Sequence, residues 1–240
     1  MRPLPVLAAL ASLAALAPAA AGCAAAPSGP AADVAAAAGP FARPPAAPSA
    51  GRPEYDAAAV RALAVTDADL GPGWHVTLMQ PGRNDVSSPP QTADVPACQP
   101  VLDALTPSKG GAGPLAEADL DIVRAGDAAA SLYTAVPAFR PGRAAAVRSG
   151  LDRVLDRCRA FTSTAGRHLL TRLDTPTPEG ADAASAFTLT NETGGAVIAQ
   201  RALVARAGDV LAVFTTLDAT GRPAPEPAVV RAQLAKITGR

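Results

Sequence analysis

A succession of apolar runs of strand length, several separated only by turn-forming residues, constrains this chain more than any other feature. Glu117 to Arg124 and Ser131 to Phe139 flank a turn near Gly126-Asp127. His168 to Leu173, Ala184 to Thr190, Ala196 to Arg206 and Val210 to Leu217 follow Gly166. Strands joined by turns this short pair antiparallel, because a parallel pair needs a long crossover. The tetrapeptide Arg206-Ala207-Gly208-Asp209 repeats Arg124-Ala125-Gly126-Asp127, and in both the glycine can supply the positive φ of a hairpin turn. Asn191 to Gly195 reads as a further turn, and Trp74 to Met79 as a strand that leaves the Gly71-Pro72-Gly73 break.

Helical periodicity appears between these runs. Asp56 to Val65 puts Val60, Leu63 and Ala64 on one face, and Thr66 to Leu70 offers a capped extra turn. Pro96 to Leu105 carries Cys98, Val101, Leu102 and Leu105 at helical spacing. Pro141 to Phe161 is the clearest helix, with Val147, Leu151, Val154, Leu155 and Cys158 forming one apolar stripe. Pro227 to Ile237 closes the chain with Val230, Leu234 and Ile237 inward. The expectation is an α+β fold: one antiparallel sheet with helices packed on one face, in a single domain. At 240 residues with only 3% aromatics, the core must be built chiefly from Leu, Val and Ala.

The first fifty residues speak to compartment rather than fold. Met1-Arg2 is followed by an uncharged apolar run from Leu4 to Leu16, then Pro18 and Ala19-Ala20-Ala21-Gly22 before Cys23. A charged start, a short apolar stretch and a small-residue exit form a secretory signal over residues 1–22. The run is too short to be an ordinary membrane span. Cys23 after Ala-Ala-Gly looks like a bacterial lipobox, in which the thiol is lipidated and becomes the first residue. Ala20 stands where such motifs usually have Leu, so an ordinary signal peptide cut nearby is the alternative. Residues 24–53 hold Ala, Pro, Gly and Ser with few large apolar groups, too little to offset the entropy of ordering them. Residues 23–53 thus read as a lipidated cysteine and a disordered tether, and 54–240 as the α+β domain. The expected place is the outer face of the cytoplasmic membrane, with two or three acyl chains, palmitate among them, as the anchor.

With Cys23 set aside, Cys98 and Cys158 remain, each on the apolar stripe of its helix. In an oxidising compartment they are expected to pair. The enclosed loop of about 60 residues would contribute on the order of 4 kcal/mol on the chain-entropy model, an upper figure. A metal site would want three or four Cys or His ligands, and only His75 and His168 are available. No cofactor is expected. The 21 basic and 21 acidic residues cancel, which argues against a nucleic-acid partner. Only Lys109 and Lys236 are lysines. With the Ala, Gly and Pro load, this resembles the coding bias of a GC-rich actinobacterial genome.

The leader with its cysteine, the Leu70-Gly71-Pro72-Gly73-Trp74 break, Cys98 in a Cys-x-x-x-Leu helix, Cys158-x-x-Phe161 and the late hairpins together resemble actinobacterial sensor-domain lipoproteins. They are similar to the extracellular domain of the mycobacterial PknH-type kinases, over about residues 55–238. The resemblance implies an α+β domain with a cleft that senses or binds an extracellular molecule. Those relatives carry two disulfides, whereas this chain can form one, and it has neither a kinase domain nor a spanning helix.

Glu117, Asp119 and Asp121 alternate along one strand and share a face. They read either as a cation- or amine-binding patch, Ca²⁺ included, or as the solvent side of a half-buried strand. Trp74, the single tryptophan, reads either as a platform for a ligand ring or as a core plug. His168 has no foreseeable Asp or Ser partner and no G-x-S-x-G elbow exists, so no enzyme is expected. The functional expectation is a binding or sensing lipoprotein for a small molecule or cell-wall fragment. The alternatives are an accessory module contacting another envelope protein and an extracytoplasmic hydrolase.

Overall fold

The computed structural model describes residues 55–79, 90–218 and 224–240, with only the backbone described at 127–130 and 218. The signal segment, Cys23 and the stretch to residue 53 lie outside these residues, as does most of the 80–94 loop. Among them are eight strands: β1 (Trp74–Met79), β2 (Ala116–Arg124), β3 (Asp127–Ala138), β4 (Ala160–Ser163), β5 (Gly166–Leu173), β6 (Ala183–Thr193), β7 (Ala196–Ala207) and β8 (Val210–Asp218). They form one sheet in the order β1-β2-β3-β8-β7-β6-β5-β4. Every neighbouring pair is antiparallel. Two meanders therefore meet along the β3–β8 ladder, and the chain reaches β4 at the far edge by crossing the sheet after β3. Gly126 (φ 86°) and Gly208 (φ 60°) both take the left-handed turn conformation that the repeated tetrapeptide implies.

The helices are α1 (Ala57–Ala62), α2 (Asp67–Leu70), α3 (Gln99–Leu105), α4 (Arg143–Val154) and α5 (Pro227–Thr238), with a 3₁₀ turn at Pro96–Cys98 leading into α3. Asp56 caps α1 by accepting the Ala59 N–H at 2.7 Å, and Thr66 with Asp69 makes a capping box on α2. No helix among the described residues is long and apolar enough to cross a membrane.

The α+β class and the antiparallel sheet are as the sequence implies, but the helices are not confined to one face. One core joins α3 and α4 to the sheet through Val101, Leu102, Leu151, Leu155, Phe187 and Val213. The other joins α1 and α5 to the opposite face through Val60, Leu120, Phe214, Val229 and Leu234. The cause is visible in β8, where Leu211 and Val213 point one way and Val210, Ala212 and Phe214 the other, all buried. A strand apolar on both sides needs cover on both.

The long helix also stops earlier than expected, at Val154 rather than Phe161. The backbone N–H groups of Arg157 and Cys158 both bond to Val154 O at 2.9 Å, a tightened last turn that still turns Leu155 and Cys158 inward. Ala160–Ser163 then becomes β4, whose ladder with β5 satisfies backbone groups that a longer helix would have left at the sheet edge. Cys98 and Cys158 form the disulfide, with Cα atoms 5.5 Å apart and a sequence separation of 60. It ties the start of α3 to the exit of α4 inside the first core.

Candidate functional site

The face that carries α3 and α4 is only partly covered. Seven-residue α3 is about 10 Å long, whereas twelve-residue β7 runs about 40 Å. Past the end of α3 the sheet is left facing a cavity of about 190 Å³. Its floor is Tyr133 of β3, Thr215 and Leu217 of β8, Gln200 of β7, Leu189 and Asn191 of β6, and His168 of β5. These are register neighbours: Tyr133 faces Thr215, Gln200 faces Leu217 and Leu189, and Asn191 faces His168. Leu102, Leu105 and Thr106 from the end of α3, with Gln91, complete the wall. Leu217, 55% exposed, marks its open side.

His168 lies at the inner end, 2% exposed. Its ring stacks on Phe161 with centroids 4.8 Å apart, and its Nε2 lies 2.7 Å from Ser163 Oγ. The sequence offered no partner for this histidine. The β4–β5 hairpin supplies one by folding Ser163 back across four residues. The turn requires Gly166, at φ 124°, where a Cβ would collide with Glu192 O and Thr193 Oγ1. Burial pushes the His168 imidazole below its ordinary value, with the charge of Asp94 partly opposing. Asp94 itself accepts the Thr162 N–H at 2.8 Å and hydroxyl at 2.6 Å, which hold its carboxyl below the usual carboxylate range. The same contacts fix the segment bearing Gln91 to the edge strand.

Serine next to a neutral histidine is half of a nucleophile–base pair. Here, however, Ser163 Oγ also accepts the Ala165 N–H at 3.0 Å and lies 3.3 Å from Gln91 Oε1. His168 Nδ1 is a buried atom with no hydrogen-bond partner among the described residues, so none of their carboxylates orients the ring as a triad would need.

Asn191 Oδ1 and Thr215 Oγ1 are likewise buried without a hydrogen-bond partner among the described residues, and both residues line the cavity with His168. Buried polar atoms are nearly always satisfied by protein or by something else, so three on residues that line one cavity are a local signal. A larger hollow of about 440 Å³ on the α5 side, lined by Pro176, Pro178, Pro225 and Pro227 with Arg201 and Arg231, holds no such atom.

The acidic strand residues share the cavity's face of the sheet, because Ala118, Leu120 and Ile122 between them fill the opposite core. Tyr133 donates its hydroxyl to Asp119 Oδ1 at 2.7 Å, and Asp119 is 9% exposed. Ser131 donates to Asp121, which is half-buried. Asp119 thus stands directly behind the cavity wall, while Glu117 is its neighbour further along β2. Trp74 is elsewhere. It opens edge strand β1 on the opposite face, packed partly against the second core, with the Arg124 guanidinium 5.4 Å from its ring centroid. The structure does not bring it together with the acids. Asn191, Gln200 and Thr215 escaped the sequence reading, and His168 was weighed there without its serine partner. Thr215 and Gln200 interrupt apolar runs, the one local sign they gave.

No family model and no curated protein matches the chain. Among solved structures it is similar to the Rv0999 ortholog from Mycobacterium smegmatis, at 14% identity over 75% of this chain and 93% of that one, with a TM-score of 0.39. It is also similar to the extracellular domain of PknH from Mycobacterium tuberculosis, at 18% identity over 79% of this chain and 97% of that one, with a TM-score of 0.47. The second is the kind of domain that the sequence motifs resemble.

Proposed function

We propose that this chain is an exported lipoprotein, anchored through Cys23, whose domain binds a small extracytoplasmic molecule in the cavity beneath α3. One observation carries the reading: the buried, unpartnered atoms of His168, Asn191 and Thr215 belong to residues of a single cavity. A ligand that meets them recovers hydrogen bonds whose absence costs about 1–3 kcal/mol each. Four leucines in the same wall supply the apolar contact that such sites combine with a few polar groups. The sensing role implied by the resemblance to PknH-type domains fits this reading, with the signal passing to a partner in the envelope.

The test is to incubate the purified domain with extract of its native host and identify retained small molecules by mass spectrometry. The control is Leu217→Trp, which fills the mouth of the cavity. A molecule retained by the wild type and lost from the variant supports the site; identical profiles overturn it. For the anchor, the N-terminal peptide from native membranes should begin at a diacylated Cys23, and Cys23→Ala should release the protein to the medium. An unlipidated peptide starting elsewhere contradicts that part. A hydrolase acting through Ser163 would instead be labelled by a serine-directed phosphonate, with the label lost in Ser163→Ala.

A further inference from the structure

Resting on the cavity reading above, we infer that the ligand is a short neutral saccharide. The side chains lining the cavity are all uncharged: four leucines, Gln91, Thr106, Tyr133, Asn191, Gln200 and Thr215, with His168 held neutral by burial. An anionic ligand would lose its hydration against a wall with no Lys or Arg to offset it, and would approach Asp119 behind Tyr133. A cationic ligand would find no carboxylate on the wall, because the Asp119 oxygen is screened by the Tyr133 hydroxyl that donates to it. An apolar ligand would leave the His168, Asn191 and Thr215 atoms as they are, buried and unpaired.

What these atoms require is narrower than polarity. Asn191 Oδ1 can only accept, Thr215 Oγ1 can do both, and His168 Nδ1 donates or accepts according to which nitrogen carries the proton. A hydroxyl group serves every one of these cases, since it donates and accepts. The leucines between the polar positions call for C–H surface alternating with hydroxyls, as on a sugar ring. The enclosed space, about 190 Å³, equals that of about six waters, which suits one ring. His168 on β5 and Thr215 on β8 are three strand spacings apart, about 14 Å, and the register offsets them by four residues, about 13 Å, along the strands, so a ligand reaching both is longer than one ring and runs on toward the open side at Leu217. A short chain of two or three rings, one of them in the cavity, fits both figures.

The experiment is saturation-transfer NMR on the purified protein with neutral mono- and disaccharides (glucose, mannose, maltose, cellobiose, trehalose) and the charged analogues glucuronate, glucosamine and glucose 6-phosphate. At least one neutral sugar is expected to bind, a disaccharide more tightly than its monosaccharide, and the charged analogues not at all. Thr215→Val, nearly isosteric, and Asn191→Leu should each weaken that binding by about tenfold, one lost hydrogen bond. Thr215→Val carries the test alone if Asn191→Leu does not fold. Preference for a charged analogue, binding indifferent to both substitutions, or no neutral sugar bound at about 10 mM overturns the inference. If the extract experiment then still yields a molecule that Leu217→Trp excludes, the cavity reading stands and only the ligand class fails.

Discussion

His168 shows how one residue couples the fold to the site. Phe161 stacks on its ring, Ser163 holds Nε2, and burial depresses its affinity for a proton. In the unfolded chain the imidazole titrates near its ordinary value of 6.5, whereas in the fold it titrates lower. Between those two values the unfolded state binds the extra proton. The stability that His168 contributes is therefore complete above pH 6.5 and is lost as pH falls through the folded value. Thermal unfolding followed from pH 7 to pH 5 should show Tm declining, and His168→Gln, which does not titrate, should flatten that decline. Parallel curves for the two proteins would assign the pH dependence to other groups. None of this was legible at the residue itself. A histidine at a strand start looks alike whether its partner is water or a serine five residues earlier, and only the β4–β5 turn decides.

Among the elements, the strands were the most legible because period-two burial and glycine turns mark them locally. β1 runs from Trp74 to Met79, as the sequence implies, and β6, β7 and β8 differ by at most a few residues at their ends. Helix positions were legible but their contacts were not. Asp152 of α4 and Asp156 just past its end each bind Arg172 of β5 at 3.0 Å. Gln233, on the face of α5 that reads as apolar, is fully buried; it donates to Leu63 O at 2.7 Å and accepts the Val65 N–H at 3.1 Å. Such bonds span some 170 residues of sequence, a distance over which periodicity carries no information. The Cys98–Cys158 pairing, by contrast, followed from counting cysteines. Replacing both with Ala should lower Tm by about 10 °C, given a contribution of roughly 4 kcal/mol or less from a loop of this size. Thiol titration of the unfolded wild type should find no thiol from these two residues until reductant is added. Two titratable thiols without reductant would refute the bridge.

At the scale of the molecule, the sheet order and the two-sided helical cover arise from β3 lying beside β8, a pairing between distant segments that no local pattern announces. The continuous apolar run Val210 to Phe214 was the available hint, since a strand buried on both faces lacks alternation. The cavity follows from this topology. α4 carries the chain from the middle of the sheet to its far edge, short α3 packs beside it, and the rest of that face is left largely to polar side chains from five strands. The domain is thus a broad sheet whose two cores stabilise it and whose uncovered corner holds the proposed binding site.

That claim is tested most directly by thermal unfolding of the wild-type domain and Thr215→Val with and without small-molecule extract of the native host. A ligand present at about one hundred times its dissociation constant adds about 2.7 kcal/mol to the stability of the folded state, or roughly 5–10 °C for a domain of this size. The account predicts a rise of that order in the wild type and a clearly smaller one in Thr215→Val. An equal rise in both proteins, or none in either, would contradict it.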